Sequence, residues 1–276
     1  MTTSITIGNF KGGVGKTTTC VTFSYLLNKA HRKTLLIDFD PQGNASEIIE
    51  KTFPVFKQKN SKSLTDGIKN LDLSESIAHV TDYLDLMPSD WSLSLLPDML
   101  EDYKKSDRPL FLKTLLTKIR NDYDYILIDV PPTLSAYTNN AVLASDYVIM
   151  VMQTQEQSYS SSLKFVSYLQ GLRKDYDKSF DLLGIIAYLV KKDGPVDHEV
   201  LKAANQAFGK ALFHGNVFQR ERVKRFGKSG IKDEDMWDKR ALYMYQVVLD
   251  EALSRINLLE AVSYTHLRAH ETDSYL

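Results

Sequence analysis

A glycine-rich segment between a short apolar run and a helical pattern constrains this chain more than any other feature. The segment, residues 11–18, reads Lys-Gly-Gly-Val-Gly-Lys-Thr-Thr; it follows an apolar run at residues 5–7 and opens a helical stretch at residues 17–29. Glycines let backbone N–H groups turn inward around phosphate oxygens, and a helix N-terminus adds partial positive charge. A strand, a glycine loop and a helix in this order predict a phosphate-binding loop.

The side chains of this loop predict a nucleotide site with a magnesium ion. Lys16 would reach the β- and γ-phosphates, and the Thr17 hydroxyl would bind Mg²⁺. The strict G-x-x-x-x-G-K-[ST] pattern is not met, because Phe10 stands where its first glycine belongs and a second lysine, Lys11, precedes the glycine pair. A glycine turn at a helix start without a ligand is the alternative. The expected nucleotide-binding residues are Gly12, Gly13, Val14, Gly15, Lys16, Thr17 and Thr18.

Short apolar runs alternate with helical stretches along the rest of the chain. The predicted strands lie at residues 5–7, 35–37, 126–128, 148–152 and 182–190, and the predicted helices at 17–29, 109–120, 161–176, 197–208 and 240–259. Continuously apolar strands are typical of parallel sheets covered on both faces. We therefore expect an α/β fold, a doubly wound and mostly parallel sheet with helices on both faces, with its ligand beyond the carboxyl ends of the strands.

Composition excludes several classes of protein. The net charge of −1 excludes a globally basic nucleic-acid binder, although a local basic patch remains open. The only cysteine, Cys20, excludes an intrachain disulfide and a metal site built on paired cysteines. Neither a signal peptide nor an apolar run of membrane-spanning length is visible, so we expect a cytoplasmic protein.

The last sixteen residues differ from the rest. Residues 262–272 read Val-Ser-Tyr-Thr-His-Leu-Arg-Ala-His-Glu-Thr. DNA that encodes this peptide resembles a transposase-type sequencing-library adapter. A polar, frayed terminus is the alternative. We therefore expect one domain with the phosphate-binding loop at residues 1–260 and a non-native tail at 261–276.

Three further motifs follow the glycine loop along the chain. They are Leu-Leu-Ile-Asp-Phe-Asp-Pro-Gln-Gly-Asn at residues 35–44, Leu-Asp-Leu-Met-Pro-Ser at 84–89 and Tyr-Asp-Tyr-Ile-Leu-Ile-Asp-Val-Pro-Pro at 123–132. With them the chain resembles the deviant Walker A ATPases of the ParA/MinD family over residues 4–260. The resemblance implies a P-loop enzyme that hydrolyses ATP with Mg²⁺, weakly until a partner stimulates it. Lys11 matches the family's lysine that crosses an ATP-dependent homodimer to the partner's nucleotide.

Three aspartates follow predicted strands, where a ligand crevice is expected. Asp40 matches the family residue that positions the attacking water, so the resemblance gives Lys11, Lys16 and Asp40 as the catalytic residues. Asp38 would lie nearer the Mg²⁺, and Asp129 matches the Walker B aspartate that holds Mg²⁺ through water. The alternative for Asp38 and Asp40 is a strand-end turn, since Asp-Pro-Gln-Gly is good turn chemistry.

A basic segment precedes the last predicted helix. Residues 220–232 carry six basic residues and one acid, Glu221, for a net charge of +5. The partition members of the family place nonspecific DNA-binding residues here, although the local pattern departs from theirs. A solvated charged face is the alternative. The candidate DNA-binding residues are Arg220, Arg222, Lys224, Arg225 and Lys228, with Lys232 at the segment's end.

The resemblance is strongest to the short, Soj-like ParA partition ATPases, because no room exists before Ile5 for an N-terminal helix-turn-helix. It implies a nucleoid-associated protein that segregates a plasmid or a chromosome together with a centromere-binding, ParB-like partner. The alternative is a MinD-like membrane-cycling ATPase. That function needs a basic amphipathic helix at the C-terminus; none is visible, so no membrane partner is expected. An iron–sulfur carrier on the same scaffold lacks the cysteines it requires.

Overall fold

One sheet of eight strands organises the chain in the computed structural model, which describes residues 2–56, 62–176 and 179–273, with side chains described as far as residue 261. Within these ranges the strands are β1 Thr3–Gly8, β2 Thr34–Asp38, β3 Ala78–Thr81, β4 Leu84–Met87, β5 Tyr125–Asp129, β6 Tyr147–Gln153, β7 Asp181–Val190 and β8 Leu212–Phe218. Their order across the sheet is β3-β4-β2-β5-β1-β6-β7-β8.

The sheet is parallel except at one edge, where β3 pairs antiparallel with β4. The glycine-loop strand β1 lies centrally between β5 and β6. The strand order of the sheet reverses at β1, because β2 and β6 lie on opposite sides of it. In open parallel sheets a ligand crevice forms where the strand order reverses. The expected doubly wound, mostly parallel α/β fold is confirmed.

Ten α-helices accompany the strands in the described residues. They are α1 Lys16–Lys29, α2 Asn44–Thr52, α3 Leu64–Lys69, α4 Leu96–Met99, α5 Phe111–Leu116, α6 Ala136–Ala144, α7 Glu156–Asp175, α8 Pro195–Phe208, α9 Glu221–Ser229 and α10 Met236–Asp273. The predicted helix at 109–120 is wrong in its length: α5 has six residues, and 3₁₀ turns flank it on both sides.

Alternating residues of the central strands point to opposite faces, so helices cover both. Leu127 of β5 packs with α1, α2, α9 and α10, whereas Ile126 and Ile128 pack with α3 to α6. In the same way Val148 and Met150 of β6 face α7 and α8. Burial on both faces is the reason that these strands read as continuous apolar runs.

Two features bear on the ends of the chain. Among the described residues no helix combines the length and apolarity needed to cross a bilayer. The backbone of α10 continues to Asp273, beyond the predicted end of the native domain. The side chains of the predicted non-native tail after residue 261 lie outside the described residues, so its origin stays a prediction.

Candidate nucleotide-binding site

The glycine loop leaves β1 and enters α1 through two residues with positive φ. Gly13 has φ +72° and Gly15 has φ +94°, a region that costs any residue with a Cβ about 1–2 kcal/mol. Gly15 is the N-cap of α1. A Cβ there would lie 2.2 Å from the ring of Tyr188, whereas a Cβ on Gly13 would meet no atom within 4 Å. The loop therefore rests on Tyr188 of β7 at Gly15 and is open to the crevice at Gly13.

Lys16 is held inside this loop. The residue is only 6% exposed, and its Nζ donates a hydrogen bond to the carbonyl oxygen of Lys11 at 3.2 Å. Burial lowers the pKa of the Lys16 ammonium, and the carboxylates of Asp129 and Asp40 oppose that shift. An ammonium with one neutral hydrogen-bond partner keeps donors available for phosphate oxygens.

Asp129 ends β5 beside β1 and is the least satisfied polar group of the site. It is fully buried, and neither carboxylate oxygen has a hydrogen-bond partner among the described residues. Burial and then the nearby Asp38 raise the pKa of Asp129. The Thr17 hydroxyl, which lies close to the carboxylate without meeting hydrogen-bond geometry, and the Lys16 ammonium oppose the rise. A buried carboxylate without partners is costly unless a cation or a water-bound cation joins it. This donor set fits a magnesium ion.

Asp38 is its neighbour in register on β2, but its oxygens are already engaged. Oδ2 accepts hydrogen bonds from the backbone N–H of Ser46 at 2.8 Å and from its hydroxyl at 2.7 Å, and Oδ1 accepts one from the N–H of Asp40 at 3.3 Å. Burial nevertheless raises the pKa of Asp38. These bonds fix the start of α2 and favour a positioning role for Asp38 over direct contact with a metal.

Asp40 lies two residues further on, after the end of β2. It is 7% exposed, and Oδ1 accepts a hydrogen bond from the N–H of Gln42 at 3.0 Å. Its charge contributes to the field on Lys16. The carboxylate therefore faces the phosphate-binding side while part of its hydrogen-bonding capacity remains unused, as a water-positioning group requires.

Lys11 does not enter the crevice of its own chain. Its Nζ donates to Oε1 of Gln157 in the first turn of α7 at 2.8 Å. The base of the loop is fixed by Asn9, whose amide donates to the carbonyl oxygen of Val151 at 2.7 Å and whose Oδ1 accepts from the N–H of Lys11 at 3.1 Å. A second amide, that of Gln153, donates to the carbonyl oxygen of Gly13 at 2.7 Å.

A cleft of about 360 Å³ opens beside the glycine loop and reaches the basic segment. One wall is formed by the loop and α1, and the others by Ile48 of α2, by Leu189 near the end of β7 and by α9. The α9 residues in it are Val223, Lys224 and Gly227. Lys224, a candidate DNA contact, therefore lines the nucleotide cleft, where it also pairs with Glu221 at 2.8 Å.

The remaining basic residues differ in how far their charge is neutralised. Arg222 forms ion pairs with Asp235 and with Asp238 at 3.4 Å, and Lys232 pairs with Glu234. The acids that follow the segment thus fold back on it and compensate part of its charge. Within the described part of the chain three of the predicted DNA contacts have no ion-pair partner: Arg220, Arg225 and Lys228.

The loop, the buried lysine and the carboxylate at the end of the neighbouring strand together define the site of a P-loop ATPase. The AAA domain family matches residues 2–182. The chain belongs to this family and is a ParA-like ATPase. It is 29% identical over 234 residues to a Myxococcus xanthus protein named chromosome partitioning protein ParA, covering 81% of this chain and 79% of that one. It is 28% identical over 204 residues to the Bacillus subtilis sporulation initiation inhibitor protein Soj, covering 74% and 79%.

Solved structures agree with the fold and with the nature of the site. A putative plasmid partition protein of Borrelia burgdorferi, bound to AMPPNP, superposes with a TM-score of 0.71 at 27% identity, covering 92% of this chain and 99% of that one. A variant of Cyanothece McdA in complex with ATP superposes with a TM-score of 0.81 at 21% identity, covering 92% and 96%. The second likeness concerns the fold alone.

Several residues of the site carry no local sequence signal. Asn9 and Gln157 are 148 residues apart in the chain, and Tyr188 supports the loop from a strand that reads as ordinary core. Ser46 could have been suspected, because it follows Asp-Pro-Gln-Gly-Asn by only two residues. The others become visible only when the central strands are placed side by side.

Proposed function

We propose that this chain is a partition ATPase that binds ATP with Mg²⁺, dimerises on it and then binds DNA without regard to sequence. The observation that carries the proposal is the buried Asp129 carboxylate, whose oxygens have no hydrogen-bond partner among the described residues and which interacts electrostatically with Lys16. An acid and a base buried side by side match a ligand that brings both a cation and phosphate oxygens. The AMPPNP-bound plasmid partition protein has the same fold.

In this proposal each side chain has one role. The N–H groups of residues 12–18 and the Lys16 ammonium bind the phosphates, and Thr17 and Asp129 hold Mg²⁺, Asp129 through water. When bound, Mg²⁺ neutralises charge on the phosphate oxygens. Asp40 orients the attacking water, and Asp38 keeps Asp40 and the start of α2 in place through its hydrogen bonds. Positioning and electrostatics supply most of the catalysis in phosphoryl transfer.

Lys11 is proposed to act on the nucleotide of a second copy. Its ammonium hydrogen-bonds to Gln157 at the surface of its own chain, which supports a role outside its own cleft. Such a lysine makes the ATP site complete only in a dimer. ATP binding and dimerisation are then coupled, and hydrolysis returns the protein to monomers.

DNA binding is assigned to the uncompensated residues of the basic segment, Arg220, Arg225 and Lys228. Phosphate contacts of this kind carry no sequence information. A ParB-like, centromere-binding partner would stimulate hydrolysis and release the protein from DNA, which moves a plasmid or a chromosome. The names of the partition relatives support this process.

The test compares four purified proteins: the wild type, Lys16→Ala, Asp40→Ala and the control Lys174→Ala. Lys174 is an exposed lysine near the end of α7, a helix that packs on the other face of the sheet from α9. ATP affinity, hydrolysis and binding to an arbitrary DNA duplex are measured across a salt series. The wild type and the control should bind DNA only with ATP and Mg²⁺, with a log–log salt slope of about −0.9 per neutralised phosphate.

The two site variants should separate binding from turnover. Lys16→Ala loses a charge-assisted contact, so ATP affinity should fall roughly tenfold to a hundredfold and DNA binding should disappear. Asp40→Ala should keep ATP and remain on DNA because only hydrolysis is lost. An ATP-loaded wild type that ignores DNA at low salt and binds anionic vesicles would overturn the proposal in favour of the membrane-cycling alternative.

A further inference from the structure

A second cavity, outside the nucleotide cleft, lies between α9 and the start of α10. Its volume is about 300 Å³. Its walls contain four arginines, one glutamate and one tryptophan: Arg220, Glu221, Arg222, Arg225, Trp237 and Arg240. Such a concentration of guanidinium groups around one cavity points to an anionic ligand, since arginine suits phosphate geometry better than any other side chain.

The charge of this cavity is only partly compensated. Glu221 is paired with Lys224 on the side of the nucleotide cleft, and the acids of the following turn pair with Arg222. In the described residues Arg220, Arg225 and Arg240 have no ion-pair partner. Three arginines without an ion-pair partner among the described residues therefore line one small cavity, and their charges lie within a Debye length of one another. Their mutual repulsion is relieved when an anion enters.

Trp237 explains how one of these groups is oriented. The guanidinium carbon of Arg240 lies 5.1 Å from the centroid of the Trp237 ring, within the range of a cation–π contact. This contact supplies no hydrogen-bond acceptor oxygen, so the N–H donors of Arg240 remain available for a ligand. Trp237 is itself 55% exposed, so its ring is accessible beside the cavity.

We propose that this cavity holds one backbone phosphate of DNA, that Arg240 donates to it, and that Trp237 is the positioning residue for Arg240. The inference rests on the proposed DNA-binding function and adds two residues to it. It also predicts that Arg240 and Trp237 contribute much of the affinity for DNA. Arg222, whose charge is neutralised by Asp235 and Asp238, contributes little. A free nucleotide carries the same phosphate chemistry, and the test separates the two sources.

The main experiment is a double-variant cycle on duplex binding with ATP present. Arg240→Ala should weaken binding about tenfold, the effect of one charge-assisted contact. Trp237→Ala should weaken it several-fold without changing the salt slope, because no charge is removed. Trp237→Phe, which keeps an aromatic face, should recover part of the loss. The double variant should bind no worse than Arg240→Ala alone, because the tryptophan acts through the arginine.

The control is Trp91→Ala, which removes the other tryptophan, 70% exposed after β4. If Trp237→Ala binds DNA as tightly as Trp91→Ala does, or if the two losses add fully in the double variant, the cavity proposal is overturned while DNA binding by the wild type still supports the proposed function. A wild type that binds no DNA overturns both.

A fluorescence titration identifies the source of the phosphate. In a Trp91→Phe variant Trp237 is the single tryptophan. Its emission should change when a DNA duplex is added with ATP and stay constant with pyrophosphate up to millimolar concentration. A response to pyrophosphate that the duplex does not produce would show a site for free phosphates and would overturn the assignment to DNA.

Discussion

Replacing Gly15 by alanine should disrupt the base of the phosphate loop, whereas replacing Gly13 should not. Both glycines have positive φ, so an alanine at either position costs about 1–2 kcal/mol of backbone strain. Both substitutions also reduce the entropy of the unfolded chain by the same amount. The two positions differ in space: the new Cβ lies 2.2 Å from Tyr188 at Gly15 and has no neighbour within 4 Å at Gly13.

The difference between the variants therefore isolates the steric contribution of Tyr188. Tyr188 is 3% exposed and its hydroxyl lies 3.2 Å from that of Tyr245, so the ring has little room to retreat. Overpacking of this kind costs about 1–3 kcal/mol. For a domain of this size 1 kcal/mol corresponds to about 2–4 °C in melting temperature. Gly15→Ala should thus melt roughly 3–10 °C below Gly13→Ala.

Thermal and urea unfolding of the nucleotide-free variants measure this difference, with equal urea m-values as the check that the unfolded states match. Equal melting temperatures would refute the reasoning, because they would mean that the loop does not rest on Tyr188. A lower stability for Gly13→Ala would refute it as well, since both positions carry the same backbone strain and no described atom lies within 4 Å of a Cβ on Gly13.

Two further predictions concern the buried acid and the tail. Asp129→Asn should stabilise the nucleotide-free protein by about 1–3 kcal/mol and abolish the stabilisation by Mg²⁺ with ATP, measured by thermal melts. Because burial raises the pKa of Asp129, the wild type loses stability as pH rises above the usual carboxyl range, so the gain should widen between pH 5 and pH 8; a constant gain contradicts this. Deleting residues 262–276 should leave the melting temperature and ATPase activity unchanged, whereas a loss of several degrees would show that the tail packs.

The local patterns that predicted the fold are those in which neighbouring residues determine the outcome. The glycine loop is recognisable because its strand, turn and helix follow one another directly, and β1, β5 and β6 read as strands because both faces are buried. The same reading missed β8, in which buried Phe213 and Val217 are separated by more exposed positions. It also missed α9, because only two of its residues, Val223 and Phe226, are buried and most of the others are charged.

Partners that are distant in sequence set the rest of the site. The pairing of Arg222 with Asp235 and Asp238 requires the chain to reverse between α9 and α10, and the sequence showed only a basic run followed by an acidic one. The engagement of Asp38 by Ser46 likewise depends on the start of α2 returning to the end of β2. Both contacts change which residues have free charge, and neither follows from spacing alone.

The short helix α9 lies between the nucleotide cleft and the cavity proposed to bind DNA phosphate. A movement of α9 would therefore couple ATP binding to the proposed DNA binding. Val223 and Gly227, four residues apart, line the nucleotide cleft. Arg222 and Arg225, three residues apart, line the second cavity, between α9 and the start of α10. A nucleotide that shifts α9 moves its arginines as well. If the helix carries the coupling, ATP should still raise the DNA affinity of Lys11→Ala, expected to be monomeric, and DNA should raise its ATP affinity by the same factor. If ATP has no effect on DNA binding by that monomer, measured by anisotropy alongside sedimentation, dimerisation alone couples the two ligands.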